Sequence, residues 1–189
     1  TSLKPETVLQ CLDACPKPIL QAHPFSTLVL MRIMFNWKRI PNMLALEQLL
    51  MASIAAHPDL TPEERGNLLG ERDLIMSFLK NNDISKISRL HRSASAQMTR
   101  PAISIQSAGG WTFGSPSVLM MFHREPGGLA RERQEMNDCM PHYYKITSGH
   151  GQGAETVMDA EAEFTQGHYT DAGIELERAY AQIAGNGQE

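Results

Sequence analysis

The sequence predicts an all-α fold, an array of about four antiparallel helical hairpins, and three observations lead there. The first is a spaced pattern. Near the C-terminus Gly167, Tyr169, Ala172, Leu176 and Ala179 read Gly-x-Tyr-x-x-Ala-x-x-x-Leu-x-x-Ala. Asn82, Ile84, Ile87, His91 and Ala94 repeat that spacing, as do Ile40, Met43, Glu47 and Leu50, and Gly127, Leu129, Glu132, Met136 and Cys139. The anchors Ile40, Ile84, Leu129 and Tyr169 lie roughly 40 to 45 residues apart, a helical-pair period. The second observation is composition. Aromatic residues make up only 6% of the chain while Leu, Ala, Met and Ile are plentiful, which suits helix packing better than a β-sandwich. The third is a set of helix-boundary signals along the chain.

Taken in order, residues 5–15 form a short helix, and residues 25–37 and 41–56 form a hairpin that His57-Pro58 closes. Thr61-Pro62-Glu63-Glu64 supplies an N-cap, a first-turn Pro and the Glu of a capping box. Behind it Leu68, Ile75 and Leu79 share one face, so a long helix runs to about residue 81, and residues 84–99 return beside it. Residues 100–115, with Pro101, Gly109, Gly110 and Gly114, have no helical period and form a loop insertion. Ser115-Pro116 starts a short helix through His123, Gly127-Gly128 turns the chain, and a longer helix follows from Leu129. Residues 154–166 then pair with 169–183.

The Gly167 pattern is that of the turn and second helix of a tetratricopeptide (TPR) repeat. Gly takes the tight turn, Tyr packs at the helix start, and small residues admit a neighbouring helix. The expectation is one TPR-like domain over residues 1–189, coiled as a right-handed superhelix. Ile40, Ile84, Ala94, Leu129, Gly167, Tyr169, Ala172, Leu176 and Ala179 are its packing positions. Such arrays build binding surfaces.

Charge and cysteine usage narrow the function further. A formal charge of −4 gives no basic footprint, so direct contact with nucleic acid by this chain is not expected. The longest nearly apolar run, residues 28–35, contains Arg32 and is too short to span a bilayer, so no membrane partner is expected. Cys11, Cys15 and Cys139 have no zinc-like spacing with His; buried reduced thiols, no metal and a cytoplasmic protein are the expectation.

Motifs for catalysis are missing. The chain has no Gly-x-x-x-x-Gly-Lys-Ser/Thr, no His-Glu-x-x-His, no Gly-x-Ser-x-Gly and no paired Cys-x-x-Cys. His150-Gly151-Gln152-Gly153 lacks a preceding strand and a Lys, and reads as a helix-to-helix connection. Asp159, Glu161 and Glu163 read as a solvated face, and an enzyme is not expected. Candidate ligand or partner contacts are Trp111 and Phe113 in the loop, His123 and Arg124 after the short helix, and Tyr143 and Tyr144. Aromatic bodies with polar tips suit recognition of small molecules or peptides. The alternative is packing: the tyrosines wedge between hairpins, and His123-Arg124 satisfies helix-terminal carbonyls.

The segment from Ser107 to Gly128, centred on Trp111-Thr112-Phe113-Gly114-Ser115-Pro116-Ser117, resembles a motif in the central helical region of MalT-like, ATP-dependent LuxR-type bacterial transcriptional regulators. Leu68-Leu69-Gly70-Glu71, Asn82-Asp83-Ile84 and the stretch from Ser148 to Glu155 extend the likeness to about residues 35–180. The resemblance implies a sensor segment lying between an ATP-binding switch domain and a helix-turn-helix. Lacking both and opening on Thr1, the chain reads as an excised central domain with no cofactor of its own; ATP belongs to the parent's missing domain. Its expected partners are a small-molecule inducer or a protein or peptide, the neighbouring domains of the same chain, and a second copy in a homodimer. A free-standing protein–protein adaptor is the competing expectation.

Overall fold

The computed structural model describes residues 4–80, 83–105 and 117–185, and every regular element among them is helical. The order is α1 (Pro5–Ala14), α2 (Lys17–Ala22), α3 (Pro24–Asn36), α4 (Ile40–Ala56), α5 (Pro62–Ser77) with a 3-10 turn at Phe78–Lys80, α6 (Ile84–Gln97), α7 (Val118–Phe122), α8 (Leu129–Thr147), α9 (Ala154–Thr165) and α10 (Tyr169–Gly185). The four anchors of the sequence pattern, Ile40, Ile84, Leu129 and Tyr169, are the first residues of α4, α6, α8 and α10. The repeat therefore marks where alternate helices begin.

Local chemistry accounts for these boundaries. Thr61 and Glu64 make the reciprocal capping box, with the Glu64 amide donating to Thr61 Oγ1 at 3.2 Å and the Thr61 amide to Glu64 Oε2 at 2.9 Å. Asp83 caps α6 by accepting from the Lys86 amide at 3.0 Å. Ser117 caps α7 through the Met120 amide; Ser115 and Pro116 lie outside the described residues. Helix α2 is not foreseen by the sequence reading. It is only six residues long, with Pro16 at its N-cap and Pro18 in its first turn, and it is held from outside, Ser53 and Thr27 donating to the carbonyls of Gln21 and Leu20.

Helix α3 packs along α4, α5 along α6 and α9 along α10, as hairpins require. The third pair departs from that scheme. Helix α7 packs chiefly against α9, and the partner of α8 is α6. A five-residue helix is too short to cover the 19-residue α8, so α6 and α9 cover it instead.

Two apolar cores result. One joins Leu28, Met31 and Met34 of α3 to Met43, Leu46, Leu50 and Ile54 of α4, with Leu68 and Ile75 of α5. The other joins Ile84, Ile87 and Ala94 of α6 to Val118, Leu119 and Phe122 of α7. Met136, Cys139, Met140, Tyr143 and Ile146 of α8 and Ala154, Met158 and Ala162 of α9 complete it. Helix α5 serves both: Ile75 enters the first core and its neighbour Leu74 the second. Each fully buried Val, Leu, Ile, Phe or Met side chain among them contributes about 1.5–3 kcal/mol.

Close approach of α5 and α6 depends on glycine. A Cβ on Gly66 would stand 2.7 Å from the Gln97 carbonyl oxygen, and one on Gly70 would stand 3.1 Å from that of Ala94. Behind them Asn67 clasps Thr99 with two 3.0 Å hydrogen bonds, one to its hydroxyl and one from its amide. Buried Glu71 accepts from the Ser104 amide at 2.7 Å.

Of the expected packing positions, Ile84, Ala94, Ala172 and Ala179 are buried, and Ile40 and Leu129 are partly buried. Gly167 takes φ +85° at the α9–α10 turn. Tyr169 and Leu176 require a correction, being 67% and 52% exposed. Helix α10 turns only its Ala172–Ala179 stripe towards α9, and the Tyr169 ring rests on exposed Phe164 with 5.3 Å between centroids. No helix among the described residues is long and apolar enough to cross a membrane.

Candidate functional site

A cavity of about 320 Å³ opens where the two cores meet. Arg32 and Phe35 of α3 form its wall on the first core. Ser77 and Phe78 line it from the end of α5, Ile87 and His91 from α6, Met121 and Phe122 from α7, Tyr143 from α8, and His150 from the α8–α9 connection. The volume falls at the lower end of ligand pockets, and the lining has their usual make-up of apolar walls with a few polar tips.

The polar tips have defined roles. Ser77 donates to the Leu74 carbonyl at 2.7 Å, so its oxygen is left to accept from His91 Nε2 at 3.0 Å. His91 Nδ1 then accepts from the Cys139 thiol at 3.3 Å. This chain fixes a neutral imidazole. Burial first, and His142 second, lower His91 to about 3, while burial pushes the Cys139 thiol up to about 12. A nucleophilic Cys–His pair needs the opposite shift of the thiol. The pair is a structural clasp between α6 and α8. Tyr143 Oη lies 3.0 Å from His150 Nδ1. Burial raises the phenol and lowers the imidazole, so both are neutral near pH 7.

Arg32 differs from all of these. Its guanidinium carbon stands 4.2 Å from the Phe78 ring centroid and 5.4 Å from that of Phe35. Among the described residues no carboxylate pairs with it, and its buried Nη1 has no hydrogen-bond partner. Burial pulls the guanidinium below its ordinary value, with Tyr143 acting the other way. Two ring faces return about 0.5–2 kcal/mol each. Removing a cation from water costs several kcal/mol in full burial. The cavity therefore carries one uncompensated positive charge.

The expected contact residues are dispersed. Tyr143 lines the cavity, but its neighbour Tyr144 turns away. Tyr144 donates to Glu155 and accepts from the Gly153 amide at 3.1 Å, bracing the α8–α9 connection. His123 Nδ1 lies 2.6 Å from Glu132 Oε2, and the Arg124 amide donates to Glu132 Oε1 at 3.1 Å. Burial would raise Glu132, yet these hydrogen bonds hold it below the ordinary carboxylate value. They fasten the chain between α7 and α8, and the Arg124 guanidinium also donates to the Met121 carbonyl at 2.9 Å. Of these, only the Arg124 guanidinium reaches a helix-terminal carbonyl, whereas His123 meets the Glu132 carboxylate and the Tyr144 hydroxyl is bonded within the α8–α9 connection. Trp111 and Phe113 lie outside the described residues.

Other sequence expectations need adjustment. The connection through His150 and Gly153 joins α8 to α9, and a Cβ on Gly153 would stand 3.4 Å from the Ala179 carbonyl oxygen of α10. Asp159, Glu161 and Glu163 are not merely a solvated face. Arg133 reaches Asp159 at 2.7 Å and Glu163 at 2.9 Å, and Glu161 accepts from the Leu119 amide of α7 at 2.7 Å. Glu163, His168 and Asp171 gather near the α9–α10 turn, but His168 and Asp171 are exposed and Glu163 already binds Arg133 and His168. Cys139 is buried as expected, whereas Cys11 is exposed.

Most cavity residues escaped the sequence reading. One signal pointed to them: Arg32 sits in the middle of the apolar run at residues 28–35, where a solvated cation has no place. Comparison with protein-family models, with curated proteins and with solved structures found no match to this chain.

Proposed function

We propose that this chain is a ligand-sensing domain whose effector occupies the cavity around Arg32. The observation that carries the reading is the cavity's position, with walls from α3 on one core and from α6, α7 and α8 on the other. An occupant bridging both walls biases how the two cores sit together, and such differential affinity is what shifts a two-state equilibrium. The resemblance of the Ser107–Gly128 segment to MalT-like LuxR-type regulators supplies the setting. In that setting this chain is a TPR-like, right-handed superhelix of about four repeats that relays effector binding to an ATP-binding switch and a DNA-binding end. The four anchors at the starts of α4, α6, α8 and α10 support the repeat part of this reading.

The test is a thermal-shift screen of small molecules against the wild type and against Met121→Trp, which fills the cavity from α7. A true effector raises the melting point of the wild type in proportion to occupancy and leaves the filled variant unmoved. Equal shifts in both proteins would place binding elsewhere and overturn the assignment.

A second reading has its own observation. Phe164, Tyr169, Ile174, Leu176 and Tyr180 are each more than half exposed on the last hairpin, an apolar face suited to a protein partner. In that adaptor reading Tyr169→Ser with Tyr180→Ser abolishes partner capture, whereas Met121→Trp does not.

A further inference from the structure

We propose that the effector is a small organic monocarboxylate: one carboxylate held by Arg32, carried on a compact apolar or aromatic body. The inference rests on the sensing assignment and adds the chemistry of the ligand.

The charge balance comes first. Among the described residues every other titratable group lining the cavity is neutral near pH 7: His91 and His150 are lowered by burial, and Tyr143 is raised by it. Arg32 alone brings charge, and among the described residues no carboxylate answers it. Nη1 is shut off from solvent, so the guanidinium's remaining N–H groups are the ones that can meet an occupant. A planar fork of N–H donors matches the two oxygens of a carboxylate. A single cation also argues against phosphate. A phosphate carries more charge and more acceptor oxygens than one guanidinium can satisfy, and among the described residues the lining holds no second Lys or Arg.

The walls specify the rest of the ligand. Phe35, Phe78, Ile87, Met121 and Phe122 offer apolar surface. The hydroxyl of Ser77 and the ring nitrogens of His91 are already engaged with each other, with Leu74 and with Cys139. A polyol would leave most of its hydroxyls unpaired against such walls, a costly outcome. The cavity has the volume of roughly ten waters at ~30 Å³ each, enough for an aromatic or short branched acid.

The experiment uses matched pairs on the full chain: benzoate with benzamide, phenylacetate with phenylacetamide, and hexanoate with hexanamide, each titrated to millimolar concentration by thermal shift. At least one carboxylate is expected to stabilise the wild type saturably, with its amide roughly tenfold weaker, about 1.4 kcal/mol. Arg32→Gln brings that carboxylate down to the level of the amide, and Arg89→Gln, an exposed cation away from the cavity, changes nothing. Should Arg32→Gln fail to fold, Arg32→Lys keeps the charge without the fork and is expected to bind the carboxylate at intermediate strength. Amides that match their carboxylates, or a carboxylate shift untouched by Arg32→Gln and Arg32→Lys, would overturn the monocarboxylate and leave the sensing assignment standing. No shift from any member of either series would overturn both.

Discussion

Replacing Arg32 with Met tests the charge argument without any ligand. Met keeps the length and unbranched shape of the Arg stem, so packing along α3 is largely preserved. The guanidinium is partly buried, and a fraction of the full desolvation cost applies, about 1–3 kcal/mol. Against this stand the two ring contacts with Phe78 at 4.2 Å and Phe35 at 5.4 Å. At partly exposed sites such contacts return about 0.5–1 kcal/mol each. The balance lies between about 1 kcal/mol against Met and about 2 kcal/mol in its favour. For a domain of this size that is a melting point between slightly lowered and clearly raised, at about 2–4 °C per kcal/mol. Urea unfolding, read as a change in midpoint at constant slope, gives the free energy directly. A loss of about 3 kcal/mol or more, the usual result of breaking a satisfied buried ion pair, would refute the reasoning. It would mean that Arg32 is already compensated within the fold.

Three further predictions concern other parts of the molecule. Gly66→Ala should gain about 1 kcal/mol by helix propensity but lose about 1–3 kcal/mol because the new Cβ meets the Gln97 carbonyl at 2.7 Å. A net loss in urea midpoint is expected, and a gain would show that α6 can retreat from α5. Burial, opposed by the Ser104 hydrogen bonds and Arg100, raises Glu71 above its ordinary 4.5. The folded state then holds this proton more tightly than the unfolded one, so Glu71 subtracts stability as pH rises from the unfolded value through the folded one. Glu71→Gln should be relatively more stable at neutral pH than in acid when both proteins are titrated, and parallel pH–stability curves would contradict this. In the native protein Cys11 and Cys15 should react with a thiol reagent at mildly alkaline pH, while Cys139, buried and raised to about 12, waits for unfolding. Fast native labelling of Cys139 would mean that the α6–α8 clasp opens readily.

The helices were legible because their signals are local. Thr61 to Glu64 announces the start of α5 within four residues, and the anchor spacing finds the first residues of α4, α6, α8 and α10. What each face touches was not legible. Tyr169 and Leu176 occupy the positions that a repeat pattern reserves for packing, yet both stay more than half exposed, and the Phe164 ring that Tyr169 meets is itself exposed. Which helices cover α8 was hidden for a similar reason, since its partners are set by length and apolar surface, and α6 and α9 offer more of both than α7. The cavity lay furthest from view. Arg32, Phe78, His91, Met121 and His150 are spread over more than a hundred residues, and no spacing rule joins them.

Helix α5 has a wider consequence. Because Leu74 and Ile75 belong to different cores, melting either core strips one flank of the same helix and weakens the other core's hold on it. The two cores meet through this shared element, so the stability of each includes its hold on the same helix. The two halves are thus bound into one cooperative unfolding unit. Amide protons on the two flanks of α5 should exchange with nearly the same protection, set by global opening, and a disturbance felt at α3 has a short mechanical route to α8.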